Sequence, residues 1–141
     1  SAHGRRTRRA SEMIDDFVST RSSAVAHTSL GQISYLSLMG LVSGMIGNSS
    51  SGIIEAPSFR IGTVNIGDRQ KGRVRAESGI DCDMDERSID AALDELFSQD
   101  FQKRLKTVDN PHGAGEVAER IVEVLRKAPV EEYIKKPFFD I

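Results

Sequence analysis

Hydroxyl and basic side chains follow two short apolar runs in the middle of the chain. The first run, Met45-Ile46, leads into residues 47–52, GNSSSG, which contain three consecutive serines. The second run, residues 63–66 (TVNI), leads into residues 67–73, GDRQKGR. Hydroxyls beside backbone N–H groups at a strand–helix junction suit a phosphate, and arginines are well suited to neutralise one. The two segments therefore predict an anion site.

The individual side chains in these segments allow more than one interpretation. Ser49 and Ser50 could donate to a phosphate, or could simply cap a helix and form a turn. Glu55 could accept hydrogen bonds from sugar hydroxyls, or could be an ordinary acid in the first turn of a helix. Arg69 and Arg73 could belong to a solvated loop. Because the basic segment follows a strand next to the serine segment, the sequence favours a phosphate-bearing ligand.

Short strand-like runs alternate with helix-like runs, which predicts an α/β fold with a mainly parallel sheet of about four strands. Residues 1–10 are expected to be mainly irregular, and Pro57 should keep the central helix short or kinked. The carboxyl ends of parallel strands lie at one edge, so the two segments should form a single site. Strands are expected at 24–28, 45–47, 63–67 and 80–83, and helices at 8–19, 29–41, 51–58, 85–106 and 116–127.

Length and composition predict one domain over residues 1–141. The formal net charge of −2 gives no reason to expect a nucleic-acid partner. No apolar run approaches the roughly 20 residues that cross a bilayer, so no membrane association is expected. The lone cysteine, Cys82, should be buried in a strand, and it excludes an internal disulfide framework, which favours a cytoplasmic protein.

Residue spacing predicts no metal site, no cofactor and no catalytic group within this chain. The three histidines are far apart in sequence and share no ligand spacing. The acidic residues of segment 81–86 lack the glycine and the spacing of a calcium-binding loop. No nucleophile–base arrangement and no pair of carboxylates suited to acid–base catalysis can be identified.

The central segments closely resemble the hydrolysing UDP-N-acetylglucosamine 2-epimerases of sialic-acid and capsule biosynthesis. The similarity is carried by residues 47–59, GNSSSGIIEAPSF, and 63–73, TVNIGDRQKGR, and extends over nearly the whole chain from about Glu12. Further matches lie at 28–32, 80–82, 110–115 and 119–122. The resemblance implies a partial Rossmann-like domain, the C-terminal nucleotide-binding part of a two-domain GT-B enzyme.

The resemblance also implies a ligand and residue roles. UDP or UDP-N-acetylglucosamine would bind with Ser49 and Ser50 on the diphosphate and Glu55 on the ribose hydroxyls. Arg69 would contact the diphosphate or the sugar side of the cleft, and Arg73 is a weaker candidate of the same kind. Members of the family convert UDP-N-acetylglucosamine to N-acetylmannosamine and UDP.

The chain also departs from the family. Family members are more than twice as long, and the N-terminal domain with its acidic residues has no counterpart here, so the chain alone should lack turnover. Arg60 and Gly62 stand where the family usually has glycine and proline. The two strands with which the family's C-terminal domain begins are also absent. Their loss should leave an open sheet edge. We expect strand 24–28 to move beside 43–47, or a second copy to cover the edge as a homo-oligomer.

Two alternative functions stay open. The chain could be a non-catalytic remnant that binds nucleotide weakly or serves only in oligomeric contacts. It could also be a phosphosugar-binding domain of the isomerase type, because such domains use serine-rich junctions with a nearby glutamate. The basic segment 67–73 argues against this last interpretation, since a single phosphate needs no second cationic loop.

Overall fold

The chain forms two compact units, Ser1–Gly40 and Leu41–Ile141, in a computed structural model that describes residues 2–113, 115 and 117–128. The predicted single domain stays a prediction. The first unit contains helices α1 (Ala2–Ser19) and α2 (Gly31–Met39). The second contains strands β1 (Gly44–Gly47), β2 (Gly62–Ile66) and β3 (Gly79–Cys82), and helices α3 (Ser51–Ile54), α4 (Glu86–Leu96), α5 (Gln99–Leu105) and α6 (Val117–Lys127), with a 3-10 turn at Ala56–Phe59.

The three strands form a parallel sheet in the order β1-β2-β3, which confirms the α/β fold. About four strands were expected. Segment 24–28 forms no strand, and the N–H of Ala24 donates instead to the carbonyl of Arg21 at 3.2 Å. A short run adopts strand geometry only when a neighbouring strand takes its backbone hydrogen bonds. The prediction that this segment pairs beside β1 is therefore wrong.

The N-terminal segment is helical rather than irregular, because α1 already begins at Ala2. Alanine and arginine, which dominate residues 2–10, are among the strongest helix formers. Local propensity therefore extends the predicted helix 8–19 towards the N-terminus.

Among the described residues, no helix is both long and apolar enough to span a membrane.

Helices α4 and α5 cover one face of the sheet and form its core. Glycine is required where they approach most closely, since a Cβ atom on Gly62 would lie 2.3 Å from Cδ1 of Leu96 and 2.6 Å from Cε1 of Phe101. Burial raises the pKa of the Cys82 thiol, which confirms the buried strand position. The buried core residues are Val64, Ile80, Cys82, Ala92, Leu96, Phe101 and Leu105.

The single helix expected over 85–106 is two helices. Ser98 caps α5, with its Oγ accepting a hydrogen bond from the N–H of Phe101 at 3.3 Å. Gln102 Nε2 donates to the carbonyl of Leu96 at 2.7 Å, which satisfies the end of α4. The break allows both Leu96 and Phe101 to reach the same core, although they lie on different helices.

Candidate functional site

The two segments predicted to form a site follow adjacent strands at one edge of the sheet. Gly47, the last residue of β1, is paired in register with Asn65 near the end of β2. Both strands run in the same direction, so the residues that follow them leave the sheet side by side. The serine segment, residues 48–52, and the basic segment, residues 67–73, therefore share the carboxyl edge.

Ser49 and Ser50, the two serines predicted to bind a ligand, differ in their local hydrogen bonds. Ser49 Oγ accepts a hydrogen bond from the N–H of Ser51 at 3.3 Å, so this side chain helps to form the turn into α3. Ser50 is the residue before α3 and makes no side-chain capping bond. The interpretation of the serines as ordinary caps therefore fits Ser49 in part and does not fit Ser50.

Helix α3 is a single turn, as the position of Pro57 predicts, and it leads into the 3-10 turn. A helix of this length has few aligned peptide dipoles, so its macrodipole contributes little to anion binding. Any anion at this junction would be held mainly by hydroxyls, backbone N–H groups and cations. Gly52 lets α3 approach the sheet, because a Cβ atom there would lie 2.4 Å from Cγ2 of Thr63.

Glu55 lies at the junction of α3 and the 3-10 turn, with its side chain half-buried. Its Oε2 atom is buried and has no hydrogen-bond donor among the described residues. A buried carboxylate oxygen without a donor is unfavourable, because it loses its hydrogen bonds to water and gains none from the protein. The geometry therefore leaves Glu55 with an unused acceptor.

A distant asparagine bonds to residues on both sides of Glu55, a backbone carbonyl before it and a side-chain hydroxyl after it. Asn110 Nδ2 donates to the carbonyl of Ile54 at 2.8 Å and to Oγ of Ser58 at 2.7 Å. Asn110 Oδ1 accepts from the N–H of His112 at 2.9 Å, which orders the loop that begins there. This role could not be predicted from the sequence, because both contacts span more than 50 residues of chain.

The basic segment consists of two successive turns. The N–H of Lys71 donates to the carbonyl of Asp68 at 2.9 Å, and the N–H of Arg73 to that of Gln70 at 3.3 Å. Gly67 and Gly72 adopt φ angles of 74° and 79°, which glycine tolerates best. The side chains of Arg69 and Arg73 are exposed, and neither forms an ion pair within the part of the chain that the structure describes.

Gln70 joins the two segments, and sequence reasoning missed it. Its side chain is only 2% exposed, and Nε2 donates to the carbonyl of Asn48 at 2.8 Å. Oε1 of the same amide is buried and has no partner among the described residues. In the sequence, the one sign of this role is that Gln70 is a neutral residue between the charged residues Arg69 and Lys71.

A polar cavity of about 380 Å³ lies beside the basic segment, at the ends of β2 and β3. Asn65 Nδ2 donates to Oδ1 of Asp81 at 2.9 Å, and Arg75 forms an ion pair with the same oxygen. The hydrogen bond that Arg75 donates to the Asp81 carboxylate lowers the pKa of Asp81 and raises the pKa of Arg75. These groups satisfy one another, and the described lining of the cavity contains none of the five predicted site residues.

Across residues 2–113, 115 and 117–128, no three His, Cys, Asp or Glu side chains are grouped so that they could hold a metal ion. The groups that remain to bind a ligand are therefore the serine hydroxyls, the exposed arginines and the Glu55 carboxylate with its unused oxygen.

Comparison with known proteins identifies the family. Residues 2–126 match the family model described as UDP-N-acetylglucosamine 2-epimerase. The chain is 37% identical over 113 residues to the GDP/UDP-N,N'-diacetylbacillosamine 2-epimerase (hydrolyzing) of Campylobacter jejuni, covering 79% of this chain and 29% of that protein. It is 38% identical over 110 residues to the polysialic acid biosynthesis protein P7 of Escherichia coli, covering 76% and 28%.

A third relative is the UDP-N,N'-diacetylbacillosamine 2-epimerase (hydrolyzing) of Legionella pneumophila, 40% identical over 90 residues, which are 64% of this chain and 23% of that protein. The matches thus span between 23% and 29% of the length of these curated relatives. The resemblance drawn from residues 47–59 and 63–73 is confirmed. This chain belongs to the UDP-N-acetylglucosamine 2-epimerase family.

Proposed function

We propose that this chain binds the UDP part of a UDP-N-acetylated sugar at the carboxyl edge of its sheet, as the nucleotide-binding part of a longer hydrolysing 2-epimerase. In this proposal Ser49 and Ser50 hydrogen-bond the diphosphate, and Arg69 neutralises it. Glu55 accepts hydrogen bonds from the ribose hydroxyls, and Arg73 supplies a second, weaker positive charge.

The observation that carries the proposal is the contact between Gln70 and Asn48. This hydrogen bond of 2.8 Å joins the two segments. The backbone that carries the serines therefore lies close to the backbone that carries Arg69. A diphosphate presents acceptor oxygens and negative charge over two phosphorus centres. Hydroxyl donors from one segment and charge-assisted donors from the other match that distribution better than either segment would alone.

Glu55 supports the nucleoside part of the proposal. Its buried Oε2 lacks a donor, and vicinal hydroxyls of a ribose are donors of the right kind. Asn110 bonds the backbone carbonyl of Ile54 before this residue and the hydroxyl of Ser58 after it, which restrains the turn that carries the carboxylate before a ligand arrives. Preorganisation of this sort lowers the entropy cost of binding.

In the complete reaction, these residues would act on the leaving group. Removal of the C2 proton and cleavage of the C1–O bond release UDP and leave a glycal, to which water then adds across the double bond. Negative charge grows on the diphosphate as the C1–O bond breaks. Arg69 and the serine hydroxyls would stabilise that charge, whereas the groups that move the C2 proton lie outside the proposed site. The chain alone is therefore expected to bind nucleotide without turnover.

The test is calorimetric titration of the chain with UDP, UDP-N-acetylglucosamine and glucosamine 6-phosphate. We expect saturable binding of both UDP ligands. Arg69→Ala should weaken it about 10- to 100-fold, because a charge-assisted hydrogen bond contributes about 1.5–3 kcal/mol. Glu55→Ala should weaken it about tenfold through loss of the ribose contacts.

Arg87→Ala is a matched control, because Arg87 is an exposed arginine on α4 and lies outside the site. It should leave the affinity unchanged. No saturable binding at millimolar UDP would overturn the proposal in favour of a non-catalytic remnant. Tighter binding of the sugar phosphate would overturn it in favour of a phosphosugar-binding domain.

A further inference from the structure

Gln70 is a buried residue in an otherwise solvent-exposed turn. Its neighbours Arg69 and Lys71 are both exposed, whereas the Gln70 side chain is 2% exposed. Ordering a long, flexible side chain costs up to about 2 kcal/mol of conformational entropy. The contacts that this side chain makes must therefore offset that cost.

The single side-chain hydrogen bond of Gln70 crosses between the two segments of the candidate site. Its acceptor is the backbone carbonyl of Asn48, which lies 22 residues earlier in the chain. Consecutive Cα atoms are about 3.8 Å apart, so Arg69 and Ser49 each stand one residue from this bonded pair. The bond thus restrains the distance between the backbone of a proposed cation and that of a proposed hydroxyl donor.

The backbone of Gln70 restrains the second half of the same loop. Its carbonyl accepts a hydrogen bond from the N–H of Arg73 at 3.3 Å. One residue therefore connects the serine segment, the turn that carries Arg69 and the turn that carries Arg73. A displacement of Gln70 would move both arginines relative to the serines.

The arrangement is a poor one for stability alone. Oε1 of Gln70 is buried without a donor among the described residues, and such an atom costs about 1–3 kcal/mol. An apolar side chain of similar shape, such as methionine, would fill the same space without that cost. The amide therefore gives the fold little net stability, and its distinctive contribution is the fixed separation of the two segments.

We propose that Gln70 is a positioning residue, which holds the basic segment against the serine segment so that Arg69 and Ser49 act on the same diphosphate. This inference rests on the proposed function. Gln70 itself does not touch the ligand. Its effect passes through Arg69, and that dependence can be measured.

The experiment is a double-mutant cycle on UDP affinity with Gln70→Met, Arg69→Ala and the double variant. Gln70→Met should weaken UDP binding about tenfold in the chain that keeps Arg69. In the Arg69→Ala background, the same substitution should change the affinity less than twofold, because the stronger of the two cations that Gln70 positions is already gone and Arg73 contributes little. The midpoint of urea unfolding for Gln70→Met should equal or exceed that of the unmodified chain.

Gln102→Met is the matched control. Gln102 also donates from Nε2 to a backbone carbonyl, but this bond joins α5 to Leu96 at the end of α4. This variant should lower stability and leave UDP affinity unchanged, which is the opposite pattern. Gln70→Glu provides a second variant of nearly unchanged shape that replaces the donor by a carboxylate, and it should weaken binding at least as much as methionine.

The outcomes separate this inference from the proposed function. If the unmodified chain binds UDP and Arg69→Ala weakens binding while Gln70→Met does not, the positioning role is overturned and the proposed function stands. Equal losses from Gln70→Met in both backgrounds would also overturn it. If the unmodified chain shows no saturable UDP binding, the proposed function itself fails.

Discussion

The sheet differs between the face that α4 and α5 cover and its carboxyl edge. The face is closely packed, and the edge contains polar groups without partners in the part of the chain that the structure describes. On the face, Leu96 and Phe101 leave no space for even a methyl group on Gly62. At the edge, Glu55 and Gln70 each bury an acceptor without a donor, and the nearby Arg69 is exposed without an ion pair among the described residues. Under the proposed function, the unused Glu55 oxygen and the exposed Arg69 guanidinium are left for a hydroxylated anion.

The largest effect should come from removing Phe101, which is 1% exposed and central to the core. Phe101→Ala should destabilise the chain by about 3–5 kcal/mol, because it loses buried apolar area and leaves a cavity. Urea unfolding followed by circular dichroism measures this loss. A change below about 1 kcal/mol would mean that the α4–α5 face is not the source of stability that the packing indicates.

A smaller effect is expected from adding one methyl group at the closest approach. Gly62→Ala should destabilise by about 1–3 kcal/mol, because the new Cβ would collide with Leu96 and Phe101. Gly79→Ala is the control, since a Cβ atom there would meet its nearest neighbours at 3.9 Å. Equal unfolding midpoints for the two variants would show that the close approach at Gly62 relaxes easily.

Position 60, two residues before β2 begins, offers a gain in stability. Arg60 ends the 3-10 turn with a φ angle of 55°, a left-handed conformation that costs a residue with a side chain about 1–2 kcal/mol. Arg60→Gly should therefore stabilise the chain by about 1 kcal/mol, and Arg60→Ala should not. Thermal unfolding distinguishes them. Equal midpoints for both variants would show that the backbone at this position is unstrained.

The smallest effect concerns the ion pair that closes the polar cavity. The hydrogen bond from Arg75 lowers the pKa of Asp81 below its ordinary value of 3.8, so the ion pair stabilises the fold above that pH. As pH falls through the lowered pKa, Asp81 becomes protonated and the contribution disappears. Both side chains are partly exposed, so the contribution is reduced by solvent screening.

Asp81→Asn should therefore have a slightly lower unfolding midpoint than the unmodified chain at pH 7 and at pH 5. The difference should shrink as the pH approaches 3 and continue to shrink below it. Thermal unfolding at these pH values measures the trend. A difference that stays constant down to pH 2 would show that the carboxylate charge plays no part.

Several elements could be predicted because their signals are local. Strands β1, β2 and β3 are short apolar runs bounded by glycine or polar residues, and each is found close to its expected position. The break between α4 and α5 could not be predicted, because the apolar period continues through Ser98. Tertiary packing of Phe101 selects the capped turn there. The strand predicted at 24–28 was wrong for a related reason, since a strand needs a neighbouring strand that the sequence does not reveal.

The candidate site shows the same division. Serines, arginines and Glu55 are recognisable because their chemistry is carried by residue type and by order along the chain. Gln70 and Asn110 are not, because their hydrogen bonds reach Asn48 and Ile54 across 22 and 56 residues. Sequence reasoning yields the groups that the proposed function assigns to the ligand, and it misses the residues whose hydrogen bonds hold the surrounding backbone.

The most direct test of the central claim is a UDP titration followed by backbone amide NMR. Under the proposed function, we expect saturable shift changes concentrated in residues 47–55 and 67–73, with α4 and α5 nearly unaffected. Changes centred on the polar cavity near Asp81 and Ser88 would contradict it. So would an unchanged spectrum at millimolar UDP.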